Sequence, residues 1–341
     1  MRENMKKMIF ILIIPVIMFT CEKNDFTLEQ IIFSGESKNN LLKELLEKTE
    51  IGLNRYNDDI SLLLKRGFIF YKLLYYDKAL NDFQKIIEID SLNSYANLGL
   101  GIIYYLNKNE KALNYINKAI ILDSTNASAY YYRALYYFGV LDSINEKNFQ
   151  YENIVMRALS DYYSVIKLKA EYFQVYFDCS LLFFKIDSLD LANQSMLKAF
   201  QLSGNNPDIM YLKASLNEEY LNYKQALLDY DKCIKIDANK SDRGYLAKAL
   251  LYDRLDSNYN AIKQYKIISV IDSICVFCNL EIAAIFSEMG KYDSTLYYLD
   301  KSISDDNYDI KIIKNDNRFK NFLNNKKYAL TFEKIIEKNK L

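Results

Sequence analysis

The chain has 341 residues, 50% of them hydrophobic, with 44 basic and 44 acidic side chains, no His and no Trp. That apolar content is ample for a packed core, while the balanced charge argues against a general nucleic-acid binder, which needs a basic excess on one face. The absence of His removes Ser-His-Asp and Cys-His catalysis, His-based metal sites and the commonest general base.

The chain begins with a basic stretch, Arg2, Lys6 and Lys7, followed by an apolar run from Met8 to Phe19 broken only by Pro15. This run is shorter than the roughly 18 to 20 residues that span a bilayer, so residues 1–20 read as a secretory signal. Met18-Phe19-Thr20-Cys21 then resembles a bacterial lipobox, in which the Cys is lipidated and becomes the mature N-terminus. Usual lipoboxes carry Leu three before the Cys and Gly or Ala just before it; here Met18 and Thr20 stand at those places. The resemblance implies a lipid-anchored envelope protein modified at Cys21; the plainer reading is an ordinary signal peptide with an incidental Cys. Residues 21–57 read as a tether and a lead-in helix, the latter marked by Leu41, Leu42, Leu45 and Leu46 at helical spacing.

From residue 58 to 307 the chain repeats itself. Small residues recur at Gly67, Gly101, Ala134, Ser180, Ala214, Ala249 and Ala283. A second series runs Ala79, Ala112, Ala158, Ala192, Ala226, Ala261 and Thr295. A third follows it by four residues: Phe83, Ile116, Tyr162, Met196, Tyr230, Tyr265 and Leu299. Spacings are 33 to 35, apart from one interval of 46 in each series. A period near 34 with two helices per unit predicts a helical solenoid of about seven units. These start near residues 60, 94, 127, 173, 207, 241 and 276. Each helix is too short and too one-sided to be stable alone, so neighbours must bury its apolar face.

Leu100-Gly101 with Tyr104, then Ala112, Ile116 and Ala119, resembles the tetratricopeptide repeat (TPR) family, and Ala226, Tyr230 and Cys233 follow the same pattern. The family usually has Pro at unit ends. This chain has Asp90-Ser91, Asp123-Ser124, Asp237-Ala238 and Asp272-Ser273, whose side chains can cap helices without it. The resemblance implies an all-α, right-handed superhelical solenoid whose first helices line a groove for a protein or peptide partner.

Carried over by alignment, the groove residues would be Phe68, Tyr71, Leu98, Tyr105, Tyr131, Phe138, Phe177 and Phe184, with Ile102, Leu135 and Leu181 beside them. The later equivalents are polar: Ser215, Glu218, Glu219, Asp253, Arg254, Ser287 and Glu288. Aromatic-rich faces suit extended peptides or amphipathic helices; closure of the fold over these side chains is the bland alternative. Lys72 and Lys185 are the only basic groove candidates in the first four units, so the carboxylate clamp of chaperone-binding TPR proteins is not matched.

The third unit is lengthened by Leu141 to Val155, which reads as a linker loop. Residues 308–341 read as a C-terminal cap ending in a helix from Lys326 to Lys338, which bears Tyr328, Leu330, Phe332, Ile335 and Ile336 on one side. Its mixed charge speaks against a membrane-lying helix.

Of the five cysteines, Cys179 and Cys233 occupy packing positions. Cys275-Val276-Phe277-Cys278 lacks the βαβ setting of a redox motif, leaving structural thiols or a local disulfide. No phosphate-binding Gly loop is present, and no cofactor or metal site is expected. The expected function is a non-catalytic, lipid-anchored scaffold of the bacterial envelope that binds another protein. The alternative is a glycan-binding accessory lipoprotein whose groove aromatics stack on sugars.

Overall fold

The computed structural model describes residues 28, 31, 39–144, 148–169, 171–204, 206–236, 241–271, 276–303 and 310–338. The expected signal peptide, Cys21 and Cys275 lie outside them. Among the described residues there are 18 α-helices and no strand. They form two compact units, one ending at Leu212 and the other beginning at Lys213.

In unit 1, α1 (Asn39–Arg55) packs against α2 (Ile60–Lys72), which pairs with α3 (Tyr76–Ile89). The pairs α4 (Ser94–Leu106) with α5 (Ala112–Leu122), α6 (Ala127–Leu141) with α7 (Phe149–Leu168), and α8 (Phe173–Lys185) with α9 (Leu189–Leu202) follow. The next helix, α10 (Pro207–Glu219), crosses the boundary. In unit 2, α10 leads to α11 (Tyr223–Ile236); α12 (Ser241–Arg254) pairs with α13 (Asn258–Ile271), and α14 (Val276–Glu288) with α15 (Tyr292–Ile303). The repeating helices therefore begin where the period places them.

All members of the three recurrent series are buried. The small residues are needed because the helices cross closely: a Cβ on Gly101 would fall 2.6 Å from Ile116 Cγ1, and one on Gly99 would fall 2.5 Å from the Phe83 ring. Asp59, Asn93 and Asn126 accept bonds from the backbone N–H groups of Leu62, Ala96 and Ala129 at 3.0, 3.0 and 3.1 Å, so side-chain capping opens these helices without Pro.

The turn inside six of the seven repeats, all but the third, has one construction that the spacing did not reveal. Leu74, Lys108, Asp187, Leu221, Asp256 and Gly290 all have positive φ, between 52° and 70°. In every case the next N–H returns to a carbonyl five residues back, as in Tyr75 to Phe70 at 2.8 Å and Asn222 to Asn217 at 2.7 Å. This left-handed cap satisfies carbonyls orphaned at the helix end.

A second recurrent device joins the paired helices. A cation one residue before the small position meets an acid three after the Ala of the second helix: Arg66 with Asp82 at 2.7 Å, Arg133 with Asp161 at 2.7 Å, and Lys213 with Asp229 at 2.8 Å. The two Arg pairs are bidentate, each with a second bond from Nε.

The 141–155 insertion departs from the expected linker loop. Helix resumes at Phe149, with Asn148 accepting from the N–H of Gln150 at 2.9 Å, and Tyr151 and Val155 are buried. The inserted apolar residues thus extend α7 by about two turns, since they have a surface to cover.

Unit 2 closes on α16 (Lys311–Asn315), a 3-10 turn (Asn317–Phe319), α17 (Lys320–Asn324) and α18 (Lys326–Lys338). Ile313, Phe319, Phe322, Phe332 and Ile336 pack on Leu280, Ala283, Ala284 and Leu299 of the last pair. This is the cap that a solenoid end needs. Arg318 binds it polarly as well, its guanidinium forked on Glu281 at 2.7 and 3.1 Å while Ser287 donates to its carbonyl at 2.8 Å. Cys278 is disulfide-bonded, and Cys179 and Cys233 are buried.

Candidate functional site

The first helices of the pairs in unit 1 carry the eight aromatic and aliphatic residues expected to line a groove. Five of them are core. Phe68 and Leu98 are fully buried, and Tyr131, Phe177 and Phe184 are 2–3% exposed. Phe68 stands edge-on to Phe83 of its own pair, ring centres 4.9 Å apart. Phe177 and Phe184 belong to α8, which is apolar almost all round and buried almost all round. These five side chains are corrected from open docking anchors to packing residues. Neighbouring helices cover them, which spacing within one helix does not reveal.

Tyr71, Tyr105 and Phe138 remain half-buried. Tyr71 meets Tyr76 at 6.3 Å and Tyr132 at 6.4 Å between ring centres. Tyr105 joins Tyr136, at 5.7 Å, and through it Tyr137, and the Tyr105 hydroxyl lies against Gly139. Lys72 Nζ stands 5.4 Å from the centre of the Tyr71 ring, a cation over an aromatic face.

Two separate hydroxyl bonds lie among these side chains. Tyr132 donates to the Tyr71 hydroxyl at 3.4 Å, and Tyr131 donates to Asp178 Oδ2 at 2.7 Å. Asp178 is 4% exposed. Burial pushes its carboxyl up to about 7, with the Tyr131 bond pulling the other way. Burial likewise holds the hydroxyls of Tyr131, Tyr132 and Tyr162 well above the ordinary phenol range. Cys179 follows Asp178, and burial, then the neighbouring acid, push its thiol far up. Asp178 escaped the sequence reading; an acid inside the apolar run from Phe173 to Phe184 was the available signal.

Unit 2 holds the polar counterparts. Glu218 is 5% exposed and accepts from Tyr230 Oη and Arg254 Nη2, each at 2.7 Å. Ser215 Oγ is 3.3 Å from Tyr230 Oη. Glu218 is therefore a buried network acid. Asp253 is half-buried, and Glu288 is exposed at the end of α14.

A separate cavity of about 490 Å³ opens among α7, α8 and α9, lined by Tyr163, Tyr176, Phe183 and Leu191 with Gln194 and Lys198. Its lining lacks a carboxylate. No group of three or more His, Cys, Asp or Glu able to hold a metal occurs among the described residues.

No protein-family model and no curated protein matches the sequence. Solved structures do share the fold. The chain is 16% identical to Pseudomonas aeruginosa PilF over 68% of its own length and 94% of that protein, with a TM-score of 0.51. Against yeast Tom70 the identity is again 16%, over 97% of this chain and 74% of that one, with a TM-score of 0.53. With its consecutive packed pairs, the chain shares the all-α TPR-repeat fold of these structures.

Proposed function

We propose that the protein is a lipid-anchored, non-catalytic TPR scaffold of the bacterial cell envelope, and that it holds a protein segment against the aromatic face of unit 1. The observation that carries this reading is that Tyr71, Tyr105 and Phe138 are half-buried at the same position of three successive first helices, with buried packing residues beside them. A partner that lays apolar side chains across rings already held in place loses little ordering entropy on their account. The basic, apolar and lipobox-like stretches ending at Cys21 support the anchor.

Site-specific photo-crosslinking in intact cells tests the face. A photoreactive residue at Phe138 or Tyr71 captures the partner, whereas one at Ile121, which is 82% exposed, does not. Equal capture at Ile121, or none at any position, removes the assignment. The anchor is tested apart from it: Cys21→Ser moves the protein from carbonate-washed membranes to the soluble fraction, and continued sedimentation counts against lipidation.

A further inference from the structure

Two successive repeats of unit 2 carry the same three register positions but fill them differently. In the first, Glu218 lies four residues after the small Ala214, Tyr230 four after Ala226, and Arg254 five after Ala249 of the next first helix. These three close on one another, since Tyr230 Oη and Arg254 Nη2 both donate to Glu218 at 2.7 Å. One repeat on, the corresponding residues are Asp253, Tyr265 and Glu288. The acid is one methylene shorter, and an acid stands where the arginine stood.

The second triad is left open. Tyr265 is fully buried, yet its hydroxyl has no hydrogen-bond partner. It lies within the field of Glu281, Asp253 and Arg318. Neither Asp253 nor Glu288 has an ion pair or side-chain hydrogen bond among the described residues. Arg318 is the nearby cation, but its guanidinium is already held by Glu281 at 2.7 and 3.1 Å and by Asp316 at 2.7 Å.

We propose that Asp253, Glu288 and the Tyr265 hydroxyl form a subsite for an arginine side chain of a partner protein segment, which completes from outside the acid–tyrosine–arginine triad that Arg254 completes from within. The first triad shows which chemistry these positions take. A planar guanidinium can offer N–H groups to two carboxylates at once, and a buried phenol oxygen can accept another. Burial, together with the acids around each, already holds the Asp253 and Glu288 carboxyls above their ordinary range, although Arg318 opposes this. An arriving cation relieves that repulsion. The subsite shares with the proposed function only the premise that the ligand is protein, and none of its residues belongs to the unit 1 face.

The test uses the full chain and two labelled peptides, a Gly-Ser dodecapeptide carrying spaced arginines and its twin with citrulline, the neutral isostere, at each of those places. Fluorescence anisotropy is expected to show the citrulline twin about tenfold weaker or more, as removal of a charge-assisted fork requires. Asp253→Asn with Glu288→Gln weakens the arginine peptide to the level of its twin. Tyr265→Phe weakens it a few-fold with unchanged circular dichroism. Glu333→Gln with Glu337→Gln, which removes the same charge from exposed positions of α18, leaves it unchanged. Equal loss in that control, equal binding of both peptides, or full displacement by millimolar calcium overturns the proposal. Tyr71→Ala with Phe138→Ala leaves arginine-peptide binding intact, so a failed unit 1 face and a failed arginine subsite give different results.

Discussion

Asp178 shows how one residue can tie stability to pH. Its folded carboxyl titrates near 7 against an ordinary value of 3.8, because burial disfavours the charge. The native state thus keeps a proton that the unfolded chain releases. Its stabilising contribution is full below about pH 4 and is lost as pH rises through about 7. Asp178→Asn retains an acceptor for Tyr131 and removes the titration. Its Tm should match that of the parent at pH 4 and exceed it at pH 8, by about 2–4 °C or more; parallel melting curves across that range would mean the carboxyl is not buried. Gly101 makes a steric claim at the same scale. With Ile116 Cγ1 only 2.6 Å from where a Cβ would stand, Gly101→Leu must push α4 from α5 at a cost of about 1–3 kcal/mol or more. An unchanged Tm would refute the close crossing.

At the scale of the helix pair, an ionic clasp supplements apolar packing. Asp161 is 3% exposed and takes both Nε and Nη2 of Arg133, while Arg133 Nη1 donates to Asn117 of α5. Removing one member strands the other in a partly desolvated position. Asp161→Ala should therefore cost about 2–3 kcal/mol, read as faster amide exchange in α6 and α7. Arg133→Ala with Asp161→Ala should recover part of that loss, since no charge is left unpaired. If the double variant loses the full sum of the single effects, the clasp is not a coupled pair. The clasp was legible in part: Arg66, Arg133 and Lys213 all precede the small residue, and Asp82, Asp161 and Asp229 all follow the Ala by three. What spacing could not show is that these two positions face each other across the pair.

At the scale of the whole molecule, the end of unit 2 depends on its cap. Phe332 is 1% exposed and packs with Phe319 and Phe322 over Leu280, Ala283 and Leu299. Phe332→Ala should cost about 3–5 kcal/mol, with exchange protection falling in α14 and α15 as well as in α18. If only α18 loses protection, the cap is an appendage and the last pair is stable without it. The two compact units, divided within α10, have no counterpart in the repeat series, which runs through Ala214 without a break. Periodicity records the local construction of each unit, and contact density is a property of the folded chain.

The sequence by itself determined the repeat helices and their pairing, because a period near 34 and small residues at each crossing leave few other ways to bury so many one-sided helices. It also marked the C-terminal cap and the packing cysteines, Cys179 and Cys233. Only the tertiary structure decided which aromatic positions remained at the surface. Tyr71, Tyr105 and Phe138 lie four residues after the small residue of their helix and are half-buried, yet Phe184 at the same position is buried, so cover by neighbouring helices and not position alone decides exposure. The polar positions follow the same logic. Glu218 and Asp253 are near-identical in sequence register, but one has a tyrosine and an arginine on its carboxylate and the other has neither. A side chain's chemistry is written in the sequence, whereas its partners come from other helices and are fixed only when those helices pack.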